Sequence, residues 1–137
     1  MIDPFCGTGG MLIEARDMKI NAIGIDIIRK MVNYSIGNLD HYGLKAKVVE
    51  GDIESSKEYQ FKAVVTDPPY GLSTTTKGEG VSELMKRSMN LFNKTMKKGE
   101  RIVMALSNPE LVKNPNYDEI YRFQWYIHKS LTRNILV

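Results

Sequence analysis

The sequence predicts an α/β fold, a mostly parallel sheet wound with helices and closed by an antiparallel C-terminal hairpin. Three observations carry that expectation. Short apolar runs alternate with segments of helical period. Successive runs deliver an aspartate at their carboxyl ends, Asp3, Asp26, Asp52 and Asp67, which is the edge where open α/β sheets bind ligands. The tail has two β-rich stretches around a polar turn, the pattern of a hairpin rather than another βαβ unit.

Met1-Ile2 leads into Asp3 as the end of a buried strand, and Gly7-Thr8-Gly9-Gly10 follows as a tight turn into a helix. Because a parallel strand normally has about five residues, this first strand is expected to be truncated. Met11, Leu12, Ala15 and Met18 keep a helical period, so a helix is expected over about 9–18. Residues 21–26 form an apolar run that suits a buried parallel strand. Ile28, Met31, Val32, Ser35, Ile36 and Leu39 mark a second helix, which Gly43 is placed to end. Strands are expected over 47–50 and 61–66. The stretch 71–80 is Gly, Ser, Thr and Lys with few apolar residues, a surface loop. Val81, Met85, Met89, Phe92 and Met96 form the stripe of a third helix. After the turn Lys97-Lys98-Gly99-Glu100 comes a strand over 101–106, then a short helix or loop with Pro109 and Pro115. Residues 117–127 and 132–137 are expected as the two strands of the hairpin.

The 137 residues, 42% hydrophobic and 26% charged, suit one soluble domain over 1–137 with a single core. No apolar run approaches the roughly 18 residues of a membrane span, and no secretory signal is present. Cys6 is the only cysteine, which excludes an intrachain disulfide and agrees with a reducing cytoplasm. With only His41 and His128 beside it, no metal-ligand spacing arises. A net charge of +3 allows a polyanionic partner without requiring one.

The glycine turn brings backbone N–H groups and a helix N-terminus to the end of the first strand. A dinucleotide fingerprint would need glycine where Leu12 stands. An acid does follow about 20 residues on, at Asp26, where a ribose diol would be bound. Asp3 would repel a pyrophosphate yet attract an α-ammonium group. Asp26 and Asp52, each taken alone, read equally well as strand-end caps. Together Asp3, Asp26 and Asp52 describe a pocket for S-adenosylmethionine: Asp3 towards the methionyl ammonium, Asp26 to the ribose, Asp52 to the adenine amine. Ile27 and Ile53, each one residue after its acid, would flank the adenine.

Asp67-Pro68-Pro69-Tyr70 is the most specific motif. Two prolines also stop strands, but these residue types fit one chemistry. The lone pair of an exocyclic base amine is delocalised into the ring, so methylation requires acceptors that favour a pyramidal nitrogen. Asp67 offers a carboxylate and Pro68 a backbone carbonyl. Rigid φ at both prolines fixes the loop, and Tyr70 offers a face for a base taken out of its stack. Cys6 as a nucleophile on a pyrimidine is disfavoured, because Asp3 would raise its pKa. Lys77, Lys86 and Arg87 are candidates for phosphate contacts; His128, Lys129 and Arg133 read equally as structural or phosphate-binding.

Asp3–Gly10, Asp67–Gly71 and His128–Arg133 together resemble the catalytic domain of THUMP-associated RNA methyltransferases, in particular tRNA guanine-N2 methyltransferases acting on guanosine 10. The resemblance spans the whole chain. It implies a class I S-adenosylmethionine-dependent methyltransferase fold (Rossmann-like), S-adenosylmethionine as cofactor and tRNA as partner. Phe5, Gly7, Thr8 and Gly9 would join the aspartates at the cofactor, with Asp67, Pro68 and Tyr70 at the target base. The N-terminal RNA-binding THUMP module of such enzymes is expected to be absent, so that tRNA selection would require the missing module or another chain. An adenine-N6 methyltransferase on DNA or rRNA and a non-catalytic cofactor- or RNA-binding subunit are the alternatives. A nicotinamide oxidoreductase is a third option, against which Leu12 and the loop of Tyr70 count.

Overall fold

The computed structural model describes residues 1–69, 78–129 and 131–137. They fall into two compact units, Met1–Thr66 and Asp67–Val137.

In the first unit, β1 (Ile2–Asp3), β2 (Ile23–Asp26), β3 (Lys47–Glu50) and β4 (Ala63–Thr66) lie in the order β3-β2-β1-β4. Every pairing among them is parallel: Ile2 is level with Ile23 and with Val64, and Gly24 with Val48. Their carboxyl ends therefore share one edge. The chain runs from β1 outwards to β3 and returns to the other side of β1 as β4, which creates a switch point between β1 and β4. Ile2, Ile25 and Val64 are fully buried at the middle of this sheet. The first strand is as short as expected, two residues with a ladder on both sides.

Helices α1 (Gly10–Asp17) and α2 (Arg29–His41) complete this unit with the short 3-10 helix Ile53–Glu58. Leu12 and Ala15 of α1 pack with Leu39 of α2, Cys6 and Ala22. Gly24 is glycine for a reason of space, since a Cβ there would stand 2.5 Å from Leu12 Cδ1 and 3.0 Å from Cys6 Sγ. Gly43 closes α2 at φ 66°, its N–H donating to the Asp40 carbonyl while Leu44 N–H donates to that of Leu39. A Cβ on Gly43 meets nothing within 4 Å. Gly43→Ala should thus show the left-handed penalty alone, about 1 kcal/mol, read as a lower urea midpoint; an unchanged midpoint would refute it.

The second unit contains α3 (Val81–Thr95), β5 (Arg101–Leu106), the short 3-10 helix Pro109–Val112, β6 (Arg122–His128) and β7 (Leu131–Leu136). Leu84, Met85, Met89, Leu91 and Phe92 are the buried face of α3, and the buried Ser88 hydroxyl donates to the Leu84 carbonyl. Strand order is β5-β7-β6 with both pairings antiparallel, so the expected hairpin is present. Its first strand is shorter than expected. Ile120 and Tyr121 N–H donate to the carbonyl of Val137, the last residue, and the ladder with β7 starts only at Arg122, opposite Leu136. Residues 117–121 have strand-like composition but lie outside the ladder with β7.

Candidate active site

Three expected cofactor aspartates lie at or just beyond strand ends of the first unit. Asp3 is the last residue of β1 and is only 2% exposed. Its Oδ1 accepts from Thr66 Oγ1 at 2.6 Å and from Phe5 N–H at 3.2 Å. Asp3 thus ties the end of β1 to the end of β4 and shapes the turn after it. A carboxylate so deeply buried needs such donors, because desolvation without them is costly.

Asp26, half-buried at the end of β2, organises the glycine turn. Its Oδ2 accepts from Gly7 N–H and its Oδ1 from Ile28 N–H, both at 2.9 Å. Cys6 N–H donates to the Ile25 carbonyl at 2.9 Å, and Gly9 N–H to the Cys6 carbonyl at 2.8 Å. Two of the turn's donors, those of Gly7 and Gly9, are therefore spent within the protein rather than offered to a ligand. Gly7 and Gly9 take φ 51° and 88°, a region that L side chains avoid. Asn38 Nδ2 donates to the carbonyl of the exposed Thr8, fastening the turn to α2.

Asp52 lies two residues beyond β3 and caps the following 3-10 helix, its Oδ1 accepting from Glu54 N–H at 3.0 Å. The capping role of a strand-end acid is thus real. Ile27 is half-buried, whereas Ile53 is a core residue at 2% exposure. The donor set fits an adenosyl group. Asp26, with roughly four lone-pair sites and two of them used, can still accept from a diol, and a Cβ at Gly7 or Gly10 meets no atom within 4 Å.

Cys6 is buried, and burial first, then the charges of Asp3 and Asp26, push its thiol far up. Thiolate formation there is strongly disfavoured, in line with the reading against a nucleophile.

In the second unit Asp67, Pro68 and Pro69 are described and Tyr70 is not, since it lies outside the described residues with 71–77. Asp67 follows Thr66 directly in the chain. It is half-buried, and Arg133 Nη1 of β7 donates to its Oδ2 at 2.7 Å. Burial raises the Asp67 carboxyl above the ordinary aspartate value, and the Arg133 guanidinium opposes that rise. Arg133 therefore belongs to this site, whereas its residue type alone left a structural and a phosphate role equally open. Its residue type gives no signal of this role, since Arg133 stands between Thr132 and Asn134 in β7; its partner, 66 residues away, is visible only in the fold. Thr66 is the other residue that sequence reading missed. Arg87 is engaged by Glu79 through two contacts, at 3.1 and 2.8 Å; Lys77 lies outside the described residues.

The second unit also has an open hollow of about 730 Å³, lined among others by Met89, Met96, Ile102, Met104, Tyr117 and Leu136. None of the expected site residues lines it. Among the described residues no group of three or more metal-ligating side chains occurs, and no helix is long and apolar enough to cross a membrane.

The fold defines the class: it is that of the class I S-adenosylmethionine-dependent methyltransferases. The structure of TrmN from Thermus thermophilus superposes with a TM-score of 0.83 at 17% identity, over 98% of this chain and 42% of that one. A tRNA (uracil-54, C5)-methyltransferase from Pyrococcus abyssi, solved with S-adenosyl-L-homocysteine, superposes with a TM-score of 0.76 at 20% identity, over 98% and 33%. The chain belongs to the UPF0020 family, the RMKL-like methyltransferase domain, whose model matches residues 1–119. It is 36% identical over 142 residues to the tRNA (guanine(10)-N2)-dimethyltransferase of Methanothermobacter thermautotrophicus, covering all of this chain and 42% of that protein. It is 39% identical over 147 residues to a probable enzyme of the same name from Methanothermococcus thermolithotrophicus, covering all of this chain and 86% of that protein.

Proposed function

We propose that this domain methylates the exocyclic N2 amine of guanine in tRNA with S-adenosylmethionine as methyl donor. The observation that carries the reading is Asp67-Pro68-Pro69, directly after β4 in the chain, with the Asp67 carboxylate gripped by Arg133. Similarity to tRNA (guanine(10)-N2)-dimethyltransferases along the whole chain selects guanine among exocyclic amines.

Bound S-adenosylmethionine supplies an electrophilic methyl on a sulfonium. Asp26 accepts from the ribose hydroxyls and Asp52 from the adenine amine, with Ile27 and Ile53 beside the ring. Phe5, Gly7, Thr8 and Gly9 form the turn around the methionyl part. Asp3, buried under that turn, acts on the ammonium mainly through its charge and through the turn it shapes. At the acceptor, the Asp67 carboxylate and the Pro68 carbonyl accept the two amine N–H bonds. This draws the nitrogen lone pair out of conjugation and towards the methyl carbon. The methyl group supplied by the cofactor would bond to this nitrogen, its bond to sulfur being given up, and Asp67 or water would take the proton that the nitrogen then loses. Tyr70 stacks on the base. The burial that raises Asp67 also strengthens its hydrogen bonds, while the Arg133 guanidinium favours its ionised form against that rise.

Incubation with methyl-labelled S-adenosylmethionine and unmodified tRNA transcript, followed by mass analysis of the nucleosides, tests this. Label in N2-methylated guanosine is expected. Label in N6-methyladenosine would overturn the choice of base, and cofactor binding without transfer to any RNA would overturn catalysis.

A further inference from the structure

All seven residues of β6 are exposed, although its sequence, Arg122-Phe123-Gln124-Trp125-Tyr126-Ile127-His128, is that of a strand with something to cover it. Phe123 and Trp125 are 56% and 55% exposed and stand two residues apart, on one face. Tyr121, just before the strand, continues the row, its ring stacked on that of Phe123 at 6.2 Å and 24°. Across the ladder Phe123 is opposite Ile135 and Trp125 is opposite Arg133. Directly opposed residues share a face with Cβ atoms about 5 Å apart, so the aromatic row ends beside the arginine that grips Asp67.

Contiguous exposed aromatic surface marks an interaction site, and the charge here selects the partner. Residues 122–137 include Arg122, Lys129 and Arg133 and no acidic residue; Arg122 is paired with Glu119 and Arg133 with Asp67, so the cation this stretch offers to a phosphate is Lys129. Rings interleaved with cations suit unpaired nucleotides, whose bases stack on aromatic faces while cations meet the phosphates.

Resting on the tRNA reading above, we propose that this face of β6 is an RNA-binding surface, with Trp125 stacking on a nucleotide next to the one presented to Asp67. Lys129, beyond the end of β6, would take a backbone phosphate, and Phe123 and Tyr121 would extend the platform.

Trp125 is the only tryptophan in the chain, so intrinsic fluorescence reports on this face directly. Titration with unmodified tRNA transcript should change its emission in step with filter binding. Trp125→Leu should weaken tRNA binding about 10-fold, the worth of one stacked base, with the S-adenosylmethionine Kd unchanged. Lys129→Glu, which leaves the rings alone, should weaken binding and flatten its salt dependence. Saturable tRNA binding with constant emission and wild-type affinity in both variants would overturn the surface and leave the tRNA reading standing. Concentration-dependent self-association that Trp125→Leu abolishes would assign the face to a second copy and also overturn the proposal. Failure to bind or methylate any tRNA would remove the reading on which it rests.

Discussion

Asp67→Ala should lower methyl transfer to tRNA by about 100- to 1,000-fold, the usual loss when one preorganised partner of a developing charge is removed. The S-adenosylmethionine Kd should stay within about twofold, because the residues assigned to that ligand lie in the first unit and Asp67 opens the second. Transfer within about fivefold of the parent would sink the proposed role. Arg133→Ala probes the same carboxylate through its charge. Desolvation raises Asp67, and Arg133 holds the rise down; the working form is the carboxylate, so rates climb as pH passes its pKa. Without Arg133 that pKa rises further, and the acid limb of the kcat/KM profile should move to higher pH. Arg133→Lys should recover part of the displacement but not the fork geometry. An acid limb that stays put in both variants would show that the ion pair only holds β7 in place.

The same shift bears on stability. A folded aspartate with a raised pKa binds its proton more tightly than the unfolded chain does. Its contribution therefore falls as pH rises from the ordinary aspartate value through the raised one. Asp67→Asn should remove that step from the pH dependence of unfolding.

Gly9→Ala should have the largest effect on folding and on cofactor binding together. A Cβ at Gly9 would stand 2.4 Å from Ser35 Oγ, 3.1 Å from Ser35 Cβ and 3.2 Å from Ser35 Cα. The hydroxyl can rotate away, but the backbone of α2 cannot. Left-handed strain at φ 88° costs about 1–2 kcal/mol, and overpacking adds about 1–3 kcal/mol. A loss of roughly 2–5 kcal/mol in urea unfolding is expected, with at least tenfold weaker S-adenosylmethionine binding in calorimetry. Adding Ser35→Gly should recover part of the steric loss and none of the strain. If Gly9→Ala cost under about 0.5 kcal/mol, the close approach of α1 to α2 would not constrain this turn.

Much of this fold could be read from local pattern. The apolar period of α3 and the aspartates at the ends of β1, β2 and β4 are set by neighbours within a few residues. The stretch 117–121 defeated that reading because β-rich composition does not by itself supply a paired neighbour, and the ladder with β7 begins only at Arg122. The arrangement within the site was less legible than its residue types. Nothing near Arg133 in the chain points to Asp67, and nothing near Thr66 points to Asp3, since these bonds join residues 66 and 63 positions apart. The glycine spacing did mark the turn. It did not reveal that Gly9 is required by Ser35, nor that Asp26 takes the Gly7 N–H before any ligand arrives.

That last contact has a consequence for timing. With the Gly7 and Ile28 amides both donating to one carboxylate, the turn is assembled in the free protein and a ligand has little left to order. Association should then be a single bimolecular step, its observed rate rising linearly with ligand concentration rather than reaching a plateau set by loop closure. The amide protons of Gly7 and Ile28 should exchange slowly with solvent deuterium even in the apo protein. Asp26→Ala should release both to fast exchange, turning a ready-made receptor into one that must fold around its guest.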